Sequence, residues 1–233
     1  MEARSFDVPR YLSVLPLFSD LTPRDLIQVA EGCSLRRLER GDMVFRTGDA
    51  CEEFHVVVTG QIKLYVLSAI GQEKVVELMS AGQSFAEAMM FTSQPHILSA
   101  QALVDTLLMS VAKKAVLEEI ERDHRFALRM LAGLSRRMHG LIHDVEGYAL
   151  HSGLQRVIGY LLRDVVADGV ARGLSRTISL PVSKATIASR LSLTPEYFSR
   201  VLHELVAQGL IEIDRREIRI VDAARLARFQ VAP

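Results

Sequence analysis

Ser183-Lys184-Ala185-Thr186-Ile187-Ala188-Ser189-Arg190-Leu191 is followed by Ser192-Leu193-Thr194, and then by Pro195-Glu196-Tyr197-Phe198-Ser199-Arg200. The first run reads as a short helix opened by Ser183, whose hydroxyl can accept from an otherwise unpaired N–H of the first turn. Ser192-Leu193-Thr194 is a tight connection. Thr194 then caps a second helix, with Pro195 at its first position and Glu196 in its first turn, each favourable there. Phe198, Val201, Leu202 and Leu205 form its apolar face, and it stops at Gly209. Residues 210–213 and 217–221 flank Asp214-Arg215-Arg216 as a two-stranded wing. Upstream, a helix is expected over about residues 154–171, closed by Gly173. Ile178-Ser179-Leu180-Pro181 reads as a short edge strand, because proline cannot donate to a ladder. Helix, tight turn, helix and wing make a winged helix-turn-helix.

In such a unit the first residues of the second helix enter the major groove of double-stranded DNA. Glu196, Ser199 and Arg200 stand at i, i+3 and i+4, so they share a face opposite Phe198, Val201 and Leu205. Arg200 can donate two bonds to guanine O6 and N7, Glu196 can accept from cytosine N4, and Ser199 can bond a base or meet a thymine methyl. Ser183, Lys184 and Thr194 would hold phosphates. The plainer alternative makes Glu196 a dipole-stabilising acid and Arg200 a solvated charge. All three on one exposed face of a capped second helix favour DNA.

Working toward the N-terminus, a long helix is expected from about Asp123, a plausible N-cap, to Leu150, after a short charged helix over residues 112–121. Ala127, Leu131, Leu134, Met138, Leu141, Val145 and Tyr148 recur at alternating steps of 4 and 3. A strict 3.5-residue period fits a partner helix better than the wider stripe of a globular core, so these residues form a candidate homodimer seam. Arg129, Arg136, Arg137, His143, Asp144 and Glu146 lie off it. The alternative is one amphipathic helix packed on its own domain. Gly133, Gly140 and Gly147 weaken the helix, yet their seven-residue spacing could also admit a close neighbour. The sequence does not separate those two uses.

The front of the chain reads as β-structure. Gly41, Gly48, Gly60, Gly71 and Gly82 punctuate β-prone runs at residues 43–45, 54–58, 62–67 and 74–78, with further runs at 97–104 and 107–111. Ile62, Leu64 and Val66 alternate with Lys63, Tyr65 and Leu67, the pattern of a half-buried strand. Short strands separated by regular turn signals suggest a sandwich or barrel. The 233 residues, 49% of them hydrophobic, suffice for more than one core and exclude a disordered chain. Cys33 and Cys51, the two cysteines, are too few for a disulfide scaffold, a structural zinc site or an all-cysteine iron–sulfur cluster, and read as reduced thiols. No apolar run is long enough to span a membrane, and the start lacks a signal-peptide core, so a cytoplasmic protein is expected. From residue 151 onward the chain carries 12 basic and 8 acidic residues, although the overall formal charge is zero. That asymmetry is what a nucleic-acid-binding tail would show, and equally what chance would give.

The order of a glycine-punctuated β-roll, a long helix and a winged helix-turn-helix resembles the CRP/FNR superfamily of bacterial transcription regulators over about residues 15–228. Thr194-Pro195-Glu196-Tyr197-Phe198-Ser199-Arg200 matches the E-x-x-S-R recognition pattern of its FNR-like branch. The resemblance implies an α+β fold: a cyclic-nucleotide-binding-like jelly-roll sensor over 1–122, a dimerisation helix over 123–150 and a winged DNA-binding domain over 151–233. It also implies TTGAT and ATCAA half-sites, with Arg200 on the guanine, Ser199 on a thymine and Glu196 on the opposite strand's cytosine and adjacent adenine. Double-stranded DNA, a second copy of the chain, RNA polymerase and a small-molecule or gas effector are the implied partners.

Cyclic-nucleotide binders of the superfamily carry a Gly-Glu cassette and a later arginine. Here the cassette reads Gly82-Gln83-Ser84-Phe85-Ala86-Glu87-Ala88-Met89-Met90-Phe91, and the arginine position is Leu98. A buried cyclic phosphate would lack its bidentate partner, which argues against cyclic AMP. The run Gly71-Gln72-Glu73-Lys74 with Phe85–Phe91 resembles the Dnr-type subgroup, which responds to nitric oxide through haem and activates denitrification genes. The effector pocket is then expected around Phe85, Glu87, Met89, Met90, His96 and Leu98. A haem would need an axial His, Cys, Met or Tyr. His96, after Pro95 and near the cassette, is the most interesting histidine; His55 reads as a satisfied strand residue, and Met89 and Met90 as core. A regulator of the same type that responds to another small molecule, such as a cyclic nucleotide or a metabolite like 2-oxoglutarate, is the second expectation. A cupin-like metalloenzyme is the third, but it needs a histidine pair and a carboxylate, and His55 is the lone histidine in a strand run, so no enzyme is expected.

Overall fold

The structure, a computed structural model, describes residues 6–167, 176–180 and 182–229. The chain divides into two units, Met1–Gly140 and Leu141–Pro233, and the boundary falls inside the long helix rather than at either of its ends.

The first unit runs α1 (Val8–Ser13), α2 (Pro23–Glu31), β1 (Cys33–Leu38), β2 (Met43–Phe45), β3 (Glu53–Thr59), β4 (Gln61–Leu67), β5 (Glu73–Ser80), β6 (Ser84–Phe85), α3 (Glu87–Thr92), β7 (Ser99–Ala102), β8 (Thr106–Ala112) and α4 (Lys113–Arg122), and enters α5 (His124–Leu150). One antiparallel sheet has the order β1-β8-β3-β6 and the other β2-β7-β4-β5. Phe45, Ile62, Leu64 and Met79 from the second sheet meet Val57, Phe85 and Leu108 from the first, so the two sheets close on one core. On the other face of the first sheet, Phe54, Val56, Met109 and Val111 pack against Leu12, Val29, Val116, Phe126 and Met130 of the helices and Phe18 of the turn between α1 and α2. β3 is therefore buried on both faces, which explains why Phe54, Val56, Val57 and Val58 crowd into it around a single polar residue, His55.

The five glycines of the front all adopt positive φ, as the turn reading expects. At Gly60 the need is sharpest: φ is +92°, and an added Cβ would lie 2.6 Å from the Asp105 carbonyl oxygen. The expected strands at 43–45, 54–58, 62–67, 74–78 and 107–111 are all present as β2, β3, β4, β5 and β8. The run at 97–104 shortens to β7, and Ile97 is exposed. The alternation expected in β4 is corrected: Lys63 and Tyr65 are buried and Val66 is exposed. β5 and β7 flank β4 on either side, and Lys63 Nζ bonds Glu73 at 2.5 Å while lying over the Tyr65 ring. The outer face is thus covered by its own polar side chains.

The pattern reading misses β1, β6, α1, α2 and α3. Two of them carry cap signals: Thr22 accepts from the Asp25 N–H ahead of Pro23, and Asp7 accepts from Arg10 N–H ahead of Pro9. Asp123 opens α5 as expected, its carboxylate accepting from the Arg125 N–H at 3.0 Å. Cys33 begins β1, but Cys51 precedes β3 rather than lying in a strand; burial pushes the Cys33 thiol up to about 12.

The second unit holds the end of α5, α6 (Gly153–Ala167), β9 (Arg176–Ser179), α7 (Lys184–Arg190), α8 (Pro195–Ala207), β10 (Ile211–Asp214), β11 (Glu217–Ile220) and α9 (Ala223–Arg228). The sheet order β10-β11-β9 makes β9 the expected edge. The expected helix end at residue 171, its closing Gly173, and Pro181 lie outside the described residues. Ser183 and Thr194 cap as expected, accepting from Thr186 N–H at 3.1 Å and Tyr197 N–H at 3.2 Å. Phe198, Val201, Leu202 and Leu205 are buried, and Gly209 has φ +64° after the helix ends. The tail helix α9 was not expected; Asp222 caps it.

Candidate functional site

Capping, proline and burial fix which side of α8 faces outward. With its apolar stripe in the core, Glu196 and Arg200 are exposed and Ser199 is half-buried. Ser192, Thr194, Glu196, Tyr197 and Arg200 line one open groove at the turn between α7 and α8. Lys184 is exposed at the start of α7. The oxygen of Thr194 is taken by capping, but its O–H can still donate outward; Ser183 Oγ also lies 2.8 Å from Thr186 Oγ1. The structure therefore collects Thr194, Glu196 and Arg200 in the groove, with Ser199 beside it and Ser183 and Lys184 one helix away.

Tyr148 departs from its expected place on the seam. Its hydroxyl donates to the Arg190 carbonyl at 2.7 Å and accepts from Arg190 Nη1 at 2.7 Å. Arg190 also pairs with Asp144 at 2.5 Å, and Arg156 donates to the Leu191 carbonyl at 2.8 Å. The last turns of α5 are thus bonded to the turn that precedes α8. Between α5 and α6, Ser152 and Gln155 form a reciprocal cap: Gln155 N–H reaches Ser152 Oγ at 3.2 Å and Ser152 N–H reaches Gln155 Oε1 at 2.8 Å. Along α5, Leu131, Met138, Leu141 and Val145 are exposed, as are Leu128 and Ile142. Ala127 and Leu134 are half-buried. At Gly133 and Gly140 an added Cβ would meet nothing within 4 Å in the chain.

The first unit contains a cleft of about 580 Å³ between the 15–20 connection, the cassette and the first half of α5. Glu87 sits there, its side chain 8% exposed, paired with Arg137 Nη1 at 2.9 Å. Arg137 also donates to the Ser84 carbonyl and reaches Glu77 at 3.4 Å. Arg129 donates to the Leu17 carbonyl at 3.2 Å, and Arg136 completes the basic wall. The expected effector residues are not brought together. Of the six, Glu87 lines the cleft, whereas Phe85 and Met90 are buried in the two cores. Met89 and Leu98 pack on those cores from partly buried positions. His96 is buried away from the cleft, its ring stacked on Phe45 with centroids 3.5 Å apart. His55 is a satisfied core residue, 2.9 Å from Ser110 Oγ.

Comparison with known proteins gives this arrangement a place. Residues 35–123 match the cyclic nucleotide-binding domain and residues 155–229 the Crp-like helix-turn-helix domain. DNR from Pseudomonas aeruginosa is 34% identical, with 99% of this chain and 100% of that chain covered and a TM-score of 0.52. The chain belongs to the CRP/FNR family of transcription regulators. The Anaerobic regulatory protein of Bacillus subtilis is 25% identical, over 88% of this chain and 87% of that protein. FixK2 from Bradyrhizobium japonicum shares the fold at 22% identity, with a TM-score of 0.74 over 86% of this chain and 98% of that one. CRP/FNR relatives are regulators rather than enzymes, which removes the metalloenzyme alternative. No helix among the described residues is long and apolar enough to cross a membrane.

The donors that line this cleft can be tested against haem. Glu77, Glu87, Arg129, Arg136 and Arg137 line it, and among its described lining residues Met130 is the sole side chain of an axial-ligand type. Met130 itself is 4% exposed and packed in the core. These residues do not fit a haem. Residue patterns alone missed the Arg137–Glu87 pair, Tyr148–Arg190 and the ring of Tyr197. The signal for the first was visible in Arg136 and Arg137, two of the charges that lie off the seam of α5.

Proposed function

We propose that this CRP/FNR protein acts as a homodimer that binds a TTGAT/ATCAA palindrome and switches nitric-oxide-response or denitrification genes together with RNA polymerase. The observation that carries the DNA reading is the exposed Glu196 and Arg200 pair on a capped α8 whose opposite face is buried. The exposed α5 residues Leu131, Met138, Leu141 and Val145 support pairing with a second copy. Each recognition helix would then meet one of two half-sites spaced about one DNA turn apart, roughly 34 Å. An effector that binds the DNA-competent arrangement better shifts the population toward it. The nitric-oxide assignment is supported by similarity to DNR.

A second reading has its own support. The guanidiniums and carboxylates of the cleft suit a polar, charged small molecule as effector. Leu98 at the arginine position, and a Glu87 already paired with Arg137, favour one other than a cyclic nucleotide.

Fluorescence anisotropy on the palindrome, with and without a nitric-oxide donor, tests the proposal. Arg200→Ala is expected to cost roughly 1–3 kcal/mol of discrimination per half-site and to leave the dimer intact. Full retention of sequence preference in that variant overturns the readout. Met138→Glu combined with Val145→Glu is expected to sediment as a monomer; an undisturbed dimer overturns the seam.

A further inference from the structure

We infer that Tyr197 is a positioning residue for Arg200, and that the absent side chain at Gly153 is what lets its ring take that position. The inference rests on the reading of Arg200 as the residue that meets guanine. Helical side chains lean back toward the N-terminus, so the stem of Arg200 passes over the turn that carries Tyr197, three residues earlier. Its guanidinium carbon lies 4.9 Å from the Tyr197 ring centroid. That contact is a cation–π pair on the exposed side of α8. The far end of the ring is set by α6. A Cβ on Gly153 would lie 2.5 Å from Tyr197 Cε1 and 2.9 Å from both Cζ and the hydroxyl oxygen. The hydroxyl therefore sits at the backbone of α6, and the residue offers Arg200 its π face.

The physical consequence is preorganisation. An unsupported arginine samples many rotamers, and docking it bidentately on a base removes that freedom. A guanidinium already stacked on a ring held by neighbouring backbone has less freedom to lose. Tyr197 and Arg200 line the same groove as Glu196, so the ring forms a shared wall for both base-reading charges. Tyr197 thus affects which base is chosen without bonding to one.

The test uses the full-length protein and the palindrome, alongside the palindrome with its guanines replaced and an unrelated duplex. Tyr197→Leu is expected to lower guanine discrimination by about two- to fivefold per half-site, the size of an exposed cation–π contact. Binding to the unrelated duplex is expected to stay unchanged. Tyr197→Phe, which keeps the ring, is expected to match the wild type, and Gly153→Ala to follow Tyr197→Leu. In an Arg200→Ala background the Tyr197→Leu effect is expected to vanish. Unchanged discrimination in Tyr197→Leu, an equal loss in Tyr197→Phe, or the same loss without Arg200 each overturns the inference. A wild type with no guanine preference overturns instead the DNA reading on which it rests.

Discussion

Glu196, Ser199 and Arg200 lie within one stretch of α8, whereas the cleft of the first unit draws Leu17, Glu77, Ser84, Glu87 and Arg137 from well-separated parts of the chain. The proposed reading face is made of side chains directed outward from a helix whose other side is buried. The cleft is made of charges directed inward, neutralised by one another and by backbone carbonyls. Exposed charges can be exchanged with little effect on the fold, so the reading face can be tuned for affinity almost independently of stability. Buried charges hold their unit together, so an effector acting there acts on the fold itself.

The largest expected effect tests that difference directly. Arg137→Met leaves the Glu87 carboxylate buried without its main partner, which is expected to lower stability by about 3 kcal/mol in urea denaturation. Adding Glu87→Gln to the same chain is expected to recover much of the loss, because a neutral amide is cheaper to bury than an unmatched charge. Arg200→Ala is expected to stay within about 0.5 kcal/mol of the wild type in the same measurement. Equal stability of all three variants would dissolve the distinction between the regions.

The same contrast explains what could be read from residues alone. The second helix announces itself through Thr194, Pro195, Glu196 and an apolar stripe, all local signals, and its cap and face lie where they were expected. The strands of the roll follow from glycine spacing for a similar reason. The cleft has no local signature: Arg137 meets Glu87 only because α5 crosses the cassette, and residues fifty positions apart leave no pattern in a window of ten. His96 illustrates the converse error. Nearness in sequence to the cassette suggested an effector ligand, but β2 places Phe45 against its ring and buries it elsewhere. Tyr148 kept the seam period, yet its hydroxyl was taken by Arg190, a partner that periodicity cannot anticipate.

A medium effect should come from the histidines of the roll. Burial holds His55 down to about 3, with His96 and Arg36 adding to the shift, and burial also lowers His96 against the pull of Asp49. Glu53 stands 3.9 Å from the His55 ring. The His55 ring is neutral when folded and protonates near pH 6.5 when unfolded. The unfolded state therefore binds more protons below that value. The stability that His55 contributes is complete above about pH 6.5 and is lost as the pH falls toward 3, by about 1.4 kcal/mol per pH unit. Urea midpoints measured from pH 7.5 to 5 should show that slope, and His55→Gln should reduce it. A flat profile would mean that the imidazoles gain access to water.

The smallest effect separates two assignments for Tyr148. As a seam residue it would bury its ring against a second copy, and removing the hydroxyl would leave stability almost unchanged. As the partner of Arg190 it satisfies both a carbonyl and a guanidinium N–H, and burial raises its own hydroxyl's pKa, so that it stays neutral and can donate. Tyr148→Phe is then expected to cost about 1 kcal/mol of stability, the net value of such a bond, with no change in the dimer dissociation constant. DNA affinity should fall with it, because Arg190 ends the helix that leads into the turn before Thr194. A weakened dimer with unaltered DNA binding would return Tyr148 to the seam and leave the Asp144–Arg190 ion pair to tie α5 to the turn before the reading helix.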